Sequence, residues 1–564
     1  MTVRKEYGDF QTPVILAKDV VSLITTIFGV PSTVVEPTCG LGNFLEAAYD
    51  AWGADVSYHG LEINPEYCNS AKDRFKSVGS INIERRDFFS TEWQPLLSQA
   101  GDMFTLVVGN PPWVTNATLG VLNSANLPEK SNFQGLRGFD AKTGKANFDI
   151  AEWMIIRLVE ALPKNGVLAF LCKTATARKV LIYFWQENTA ISNEALYRID
   201  AKKYFDVAVD ACLLVLRKSA EVNTTASVFE SLHDTKPVSR FGMEHGELIA
   251  NLDDYQLNKY LDGSCNYKWR SGVKHDAADV MELTPSEGGH TNGMGEHVKI
   301  EDDFVYPLLK SSDLGNGRLI PRRYVIVTQT RVGEDTSRIL TAAPRTWAYL
   351  EAHSGYLDFR KSSIYRKRPR FSIFGIGEYS FAPWKVAISG LYKRLRFEVV
   401  APIEGKPTMV DDTCYFFPCA TEEEARFWAG LLNREDCIRF LHSLVFFDAK
   451  RPVNIDVLRR VDFAELARRH GVFDQALLYL QWAGVLEGKK QQMLVFEDEE
   501  EYRANNIARI VDGGPCIAKG KGDKFHSKQC PTSAKSGQKP AGVPFHVTRL
   551  KKLQQQHTGD NQNP

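Results

Sequence analysis

Along the first 218 positions short apolar runs alternate with stretches in which apolar residues recur every third or fourth place. The runs Thr33 to Glu36, Ser57 to Glu62, Ile81 to Arg85 and Phe104 to Val108 predict buried strands, because each is bounded by turn-forming residues. Helical spacing over Asn147 to Leu162 precedes a further strand at Gly166 to Leu171, and Phe205 with Ala211 to Leu216 reads as a late hairpin strand. Such alternation predicts an α/β fold, a doubly wound sheet covered on both faces. From Ser219 to about Glu296 the chain turns polar and irregular, ending in PSEGGHTNGMGE, which reads as a connector with some helix inside it. Globular patterning resumes at His297 and runs to about Glu487. From Gly513 onward the chain is rich in Lys, Gly, Gln and Ser and poor in large apolar side chains, so disorder is expected there. The predicted organisation is a first domain over 1–220, a connector over 221–296, a second domain over 297–487 and a largely disordered extension over 488–564.

A length of 564 residues agrees with more than one core. Lys plus Arg and Asp plus Glu both total 69, so the whole chain carries no net attraction for a polyanion. The ten cysteines are scattered without a C-x-x-C pair, which argues against a disulfide scaffold and against a metal site. No run of 18 apolar residues occurs and the N-terminus lacks an apolar core, so a soluble, cytoplasmic protein without a membrane partner is expected. Charge becomes informative locally. Residues 360–397 hold ten Lys or Arg against one acidic residue, Glu378, a local net charge of +9. Aromatic residues from Tyr365 to Trp384 are interleaved with them, as a folded nucleic-acid face requires. Arg360, Lys361, Arg366, Lys367, Arg368, Arg370, Lys385 and Lys393 are the candidate DNA contacts, joined by Lys450 in Phe447-Asp448-Ala449-Lys450-Arg451-Pro452.

The chemistry concentrates at Asn110-Pro111-Pro112-Trp113, directly after the fourth strand. Two prolines fix φ and withhold backbone donors, so this turn presents an amide, a free carbonyl and a flat aromatic ring from the sheet's edge. Amide and carbonyl oxygens can both accept from an exocyclic amino group while the indole stacks on its ring. Upstream, Glu36-Pro37-Thr38-Cys39-Gly40-Leu41-Gly42-Asn43 joins the first strand to a helix. Gly40 and Gly42 allow a ligand to approach the backbone, and the loop lacks the third glycine of a dinucleotide fingerprint. An acid at Glu36 suits a ligand with a cationic amine and no phosphate. Glu62, 20 residues after Gly42, stands where a carboxylate accepts ribose hydroxyls. Asp87 and Phe88, after the third strand, can hold an amino group and cover a ring.

Together these residues resemble S-adenosylmethionine-dependent amino methyltransferases of DNA, the N6-adenine class in which the cofactor loop precedes Asn-Pro-Pro-aromatic. Asp9-Phe10-Gln11-Thr12-Pro13 is similar to the N-terminal motif of that class. The resemblance implies a Rossmann-like doubly wound methyltransferase domain and S-adenosyl-L-methionine as cofactor. It would place Thr12 and Glu36 near the methionine moiety, Glu62 on the ribose, and Asp87 and Phe88 on the adenine, with Thr38, Gly40 and Gly42 also binding the cofactor. It also makes Asn110, Pro111, Pro112 and Trp113 the catalytic turn, with Phe205 on the other face of a flipped base. The helix around Phe148 and Ile150 matches a further cofactor-bordering motif, and Trp113 departs from the usual Tyr or Phe. The second half resembles the target-recognition domain, a mixed α+β unit, of type II modification methyltransferases. Double-stranded DNA is then the partner, with a separate cognate restriction endonuclease expected beside it.

Asn-Pro-Pro-aromatic turns also occur in enzymes that methylate a protein glutamine or an RNA guanine, so the tetrapeptide alone does not name the acceptor. Some 190 residues with a basic aromatic face favour DNA. A fused nuclease is disfavoured because the methyltransferase pattern begins almost at Met1, and a DNA-binding module without catalysis is disfavoured by the intact turn.

Overall fold

The computed structural model describes residues 10–98, 104–113, 149–449 and 451–486. Strands β1 (Thr33–Glu36), β2 (Ser57–Glu62), β3 (Ile81–Arg85), β4 (Thr105–Gly109) and β5 (Val167–Lys173) are mutually parallel. Helices α1 (Val14–Phe28), α2 (Asn43–Trp52), α3 (Pro65–Phe75), α4 (Trp93–Leu97) and α5 (Ile150–Ala161) precede or connect them. After α6 (Thr174–Gln186) come β6 (Ile191–Ile199), the short α7 (Ala201–Phe205) and β7 (Ala211–Lys218), which inserts antiparallel between β5 and β6.

Within β5, Val167, Ala169 and Leu171 join the core beneath α1, α2 and α3, whereas Leu168, Phe170 and Cys172 join the one beneath α5 and α6. Burial on both faces is why β4 and β5 read as nearly unbroken apolar runs. Helix starts are set locally: the Asn64 side chain caps α3 by accepting from Glu66 N at 2.9 Å, and Pro65 opens its first turn. In spatial order the sheet runs β3-β2-β1-β4-β5-β7-β6. The order in which successive strands are added therefore reverses between β1 and β4, and the crevice at their carboxyl ends is where open α/β sheets take ligands.

Three differences from the sequence pattern have physical causes. Most of the expected connector, 221–296, is integral structure: β8 (Thr225–Phe229), β9 (Ser239–Glu244) and β10 (Glu247–Ile249) extend the first sheet beyond β6 to ten strands. They read as polar because these outlying strands, of which β10 is the edge, bury little beyond Ala226, Phe241 and Ile249. The first sheet thus ends at Ile249, past the predicted boundary at 220. Strand β6 escapes the pattern because Ser192, Asn193 and Glu194 interrupt it at a bulge, where Asn193 takes φ 57°. Phe205 ends α7 instead of lying in a strand, and Asp206 caps that turn with φ 58°.

The second half is mixed α+β. A four-stranded antiparallel sheet orders Arg270–Ser271, Cys414–Cys419, Trp384–Ser389 and Phe397–Val400. The helix Glu422–Leu432 packs Ala425, Trp428 and Leu432 into the same core as Val386, Phe397 and Phe417. A six-stranded sheet between Glu282 and Val410 is antiparallel except at its Met409–Val410 edge. Phe148, Lys450 and the expected C-terminal extension lie outside the described residues.

Candidate active site at the ends of β1 and β4

The loop leaving β1 is pinned from below and covered from above. Cys39 N donates to Leu61 O at 2.9 Å, and Gly40 N donates to Glu62 Oε2 at 2.8 Å. The other Glu62 oxygen accepts from Asn64 N at 2.7 Å, so this carboxylate ties the loop to the end of β2. Gly40 has φ 53°, and a Cβ there would stand 2.6 Å from Gln11 Oε1. Gln11 Oε1 itself accepts from Leu41 N at 3.2 Å, and Asn43 Nδ2 donates to Thr12 O at 2.8 Å. Phe10 to Thr12 therefore lie across the glycine loop. Gly42 starts α2 with φ 79°, and a side chain there would collide with the Phe75 ring at 2.5 Å. Gln11 and Asn43 add to the expected Thr12, and their signals in the sequence are adjacency to Thr12 for Gln11 and to Gly42 for Asn43.

Beneath this cover a cavity of about 110 Å³ is walled by Glu36, Thr38, Glu62, Asp87, Phe88 and Asn110, among others. Glu36 is buried, and burial pushes its carboxyl well above the ordinary carboxylate range, a hydrogen bond from the Leu45 backbone opposing the shift and nearby Glu62 adding to it. Its Oε2 and the Thr38 hydroxyl are buried with no hydrogen-bond partner among the described residues. Polar atoms left so inside a fold cost free energy unless a ligand meets them. Asp87 Oδ1 accepts from Phe89 N at 3.0 Å, fixing the turn that carries Phe88. Phe88 is held against Trp93, with ring centroids 4.6 Å apart.

Asn110 enters the same cavity from β4. Its Nδ2 donates to Phe10 O at 2.8 Å, which settles the amide's orientation, and its Oδ1 is buried without a partner among the described residues. Pro111 is buried and Pro112 borders the cavity. Trp113 is 7% exposed, with its indole N–H reaching Leu171 O at 3.4 Å. Phe10 and Phe205 both pack on it, their centroids 5.6 and 5.2 Å from that of the indole. The expected cofactor residues, the turn and Phe205 are thus gathered at one edge of one sheet.

The expected DNA contacts divide. Lys385 is wholly buried, its Nζ donating to Ala382 O at 2.7 Å, and burial pushes its pKa down to about 7. Arg360 is half-buried, with Nη1 donating to the His275 and Ser372 carbonyls at 3.0 and 2.8 Å and its guanidinium 3.7 Å from the Tyr365 ring centre. Arg370 pairs with Asp358 at 3.0 Å. Lys385 and Arg360 serve the fold's interior contacts, and Arg370 is taken up by a surface ion pair, because charge counting along a chain cannot register the partners that folding brings to each. Lys361, Arg366, Lys367, Arg368 and Lys393 are exposed and make no ion pair among the described residues. The segment after Phe447 also turns inward: Asp448 pairs with Arg178 of α6 at 2.5 Å, and Phe446 lies 4.0 Å beneath that guanidinium. A larger cleft, about 780 Å³, opens there between the two halves and includes Lys393, Arg198 and Lys202 in its wall.

The chain is 44% identical over 469 residues to the type II methyltransferase M.NspV of Nostoc sp., an alignment covering 82% of this chain and 97% of that relative. It belongs to the type II methyltransferases. Type II methyltransferase M.VspI of a Vibrio species is 25% identical over 307 residues, covering 51% of this methyltransferase and 69% of the relative. Among solved structures, the type IIL restriction-modification enzyme MmeI in complex with DNA aligns at 14% identity and a TM-score of 0.44, covering 80% of this methyltransferase and 64% of that chain. No family model matches. As a type II methyltransferase the chain acts on DNA and takes its methyl group from S-adenosylmethionine. The cavity suits that ligand: a buried acid with an unsatisfied oxygen, an unsatisfied hydroxyl and a glycine loop without a phosphate cradle face a molecule carrying an ammonium group and a sulfonium but no phosphate. Among the described residues no helix is long and apolar enough to cross a membrane.

Proposed function

We propose that this methyltransferase modifies N6 of an adenine flipped out of a short duplex site, as the modification enzyme of a cytoplasmic restriction-modification system with a separate cognate endonuclease. One observation carries the reading: Asn110 lines the cavity that suits the methyl donor and is oriented by Phe10 so that its Oδ1 is buried without a partner among the described residues. An acceptor in that state matches an amino group with hydrogens to give.

Glu36 and Thr38 would hold the polar methionine end of the cofactor, with Thr12, Gly40 and Gly42 closing over it. Glu62 would receive the ribose hydroxyls, and Asp87 with Phe88 would take the adenine. When bound, S-adenosylmethionine supplies an electrophilic methyl on sulfur. The chain's own residues prepare the acceptor. The N6 lone pair is delocalised into the ring, and inside a duplex it is out of reach, so the base must leave the stack. Asn110 Oδ1 and the Pro111 carbonyl would each accept one N6 hydrogen, drawing the nitrogen toward tetrahedral geometry without removing a proton. Trp113 and Phe205 would hold the ring by its faces.

The test is single-molecule sequencing of DNA from cells expressing the protein. N6-methyladenine at one short sequence, lost in Asn110→Ala, is the expected result. Methylated cytosine, or methyl transfer to RNA or protein with none to DNA, would replace this acceptor assignment.

A further inference from the structure

We propose that Lys173 is a positioning residue for methyl transfer, holding the Trp113 end of the Asn-Pro-Pro-Trp turn by its main-chain carbonyl. The inference rests on the reading of that turn as the catalytic one.

Lys173 is the last residue of β5, the strand beside β4, so its side chain leaves the sheet next to the turn. Its Nζ donates to Trp113 O at 3.1 Å and to Asp149 Oδ2 at 2.9 Å. Asp149 is itself fixed: Oδ1 accepts from Ala151 N at 3.2 Å, capping α5, and Oδ2 also accepts from the Thr176 hydroxyl at 3.3 Å in the first turn of α6. One ammonium therefore links the turn to the starts of two helices.

The turn needs such an outside hold. Pro111 and Pro112 have no N–H, so neither can stitch it to a neighbouring strand. Its Asn110 end is fixed through Phe10, whereas among the described residues the Trp113 end is held by the hydrogen bond from Lys173 and a long indole bond at 3.4 Å, beside ring contacts with Phe10 and Phe205. Carbonyl and indole belong to one residue, so fixing that peptide plane also fixes the direction in which the ring leaves it. Lys173 touches the peptide that carries the stacking ring and has no place on the reacting atoms. A charged donor is suited to this, since hydrogen bonds from charged groups are the stronger ones. A plain Lys-Asp ion pair would need no carbonyl as its second acceptor.

The experiment uses the full chain, unmethylated genomic DNA and tritium-labelled S-adenosylmethionine, with single-turnover rates and cofactor affinity measured side by side. Lys173→Met, which keeps the aliphatic volume, should lower the single-turnover rate about tenfold or more, with cofactor and DNA affinity within about twofold of wild type. Lys173→Arg should recover most of the rate. Lys173→Ala should be restored by added propylammonium in a saturable way, a response that a merely structural lysine would not give and that is read on one purified protein. A wild-type rate in Lys173→Met while Asn110→Ala is inactive overturns the inference and leaves the active site standing. A loss matched by weakened cofactor binding, and not restored by Arg or by propylammonium, overturns it as well. Should Asn110→Ala itself turn over at the wild-type rate, the reading of the turn fails first and the inference falls with it.

Discussion

The rings of Trp113 and Phe205 meet edge to face, 5.2 Å between centroids and 71° between planes. A base stacked between two rings needs about 3.5–4 Å on each of its faces, so the pair must open before it can clasp one. Phe205 is the less anchored ring, since it ends a five-residue helix followed by an exposed loop, whereas the Trp113 indole is hydrogen-bonded to β5. With 2-aminopurine at the target position, Phe205→Ala should weaken quenching of the flipped base while leaving cofactor affinity unchanged. Trp113→Ala should lower both trapping and turnover, and Trp113→Phe should keep substantial activity. Equal quenching in all three variants would exclude this pair as the clasp.

Asn110→Ala removes together its anchor on Phe10 and an acceptor with no partner among the described residues. Turnover should fall about a hundredfold or more, comparable to the loss of one preorganised catalytic hydrogen bond, with DNA and cofactor affinity nearly unchanged. Steady-state kinetics beside calorimetric cofactor titration measure both quantities.

Glu36 gives the fold a pH signature. Burial raises its folded-state pKa above that of the unfolded chain, so the unfolded chain gives up this proton first as pH rises. Its stabilising contribution is present below the unfolded value, about 4.3, and is lost as pH climbs through the raised folded value. Glu36→Gln should flatten that decline in the ligand-free protein, measured as melting temperature against pH. The same change should weaken S-adenosylmethionine binding, because the ligand's ammonium loses its counter-charge. An unaltered melting profile would remove Glu36 from the interior position described above.

Replacing Arg366, Lys367 and Arg368 together should weaken DNA binding and reduce the slope of log affinity against log salt by up to about 3, if each holds a phosphate. Lys385→Met should leave that slope alone and change stability instead. As pH falls below 10.5 the unfolded chain takes up the Lys385 proton before the fold does, and stability is lost progressively down to about 7. The Met variant should lack that dependence in urea titrations across the range. A lowered salt slope in Lys385→Met would return this lysine to the DNA face.

What sequence made legible follows distance along the chain. Glu36, Gly40 and Gly42 could be read because strand, turn and helix are contiguous there, and the Asn-Pro-Pro-Trp turn because prolines dictate backbone geometry from within. Strands β1, β4 and β5 were legible because burial on both faces makes them nearly continuous apolar runs, and β3 because Ile81 and Ile83 alternate with polar residues. Lys385 and Arg360 were misread because their carbonyl and ring partners are decided by folding. Lys173 gave no signal at all, since an isolated lysine at a strand end looks solvated until Asp149 and the Trp113 carbonyl are brought to it.

The extension of the first sheet to Ile249 bears on how specificity can be exchanged between relatives. A junction placed after Lys218, where composition changes, would strip β8 from its pairing with β6 and expose an open, bulged edge to intermolecular pairing. The chain passes from one half to the other at Ala250 and Asn251, whose N–H groups both donate to Ser443 O at 2.7 and 3.0 Å. A graft that keeps everything through Ile249 and imports the rest, Ser443 included, carries its own seam with it. Modularity in this architecture therefore has its boundary inside what composition presents as linker, and a chimera should succeed or fail on about thirty residues that touch neither cofactor nor base.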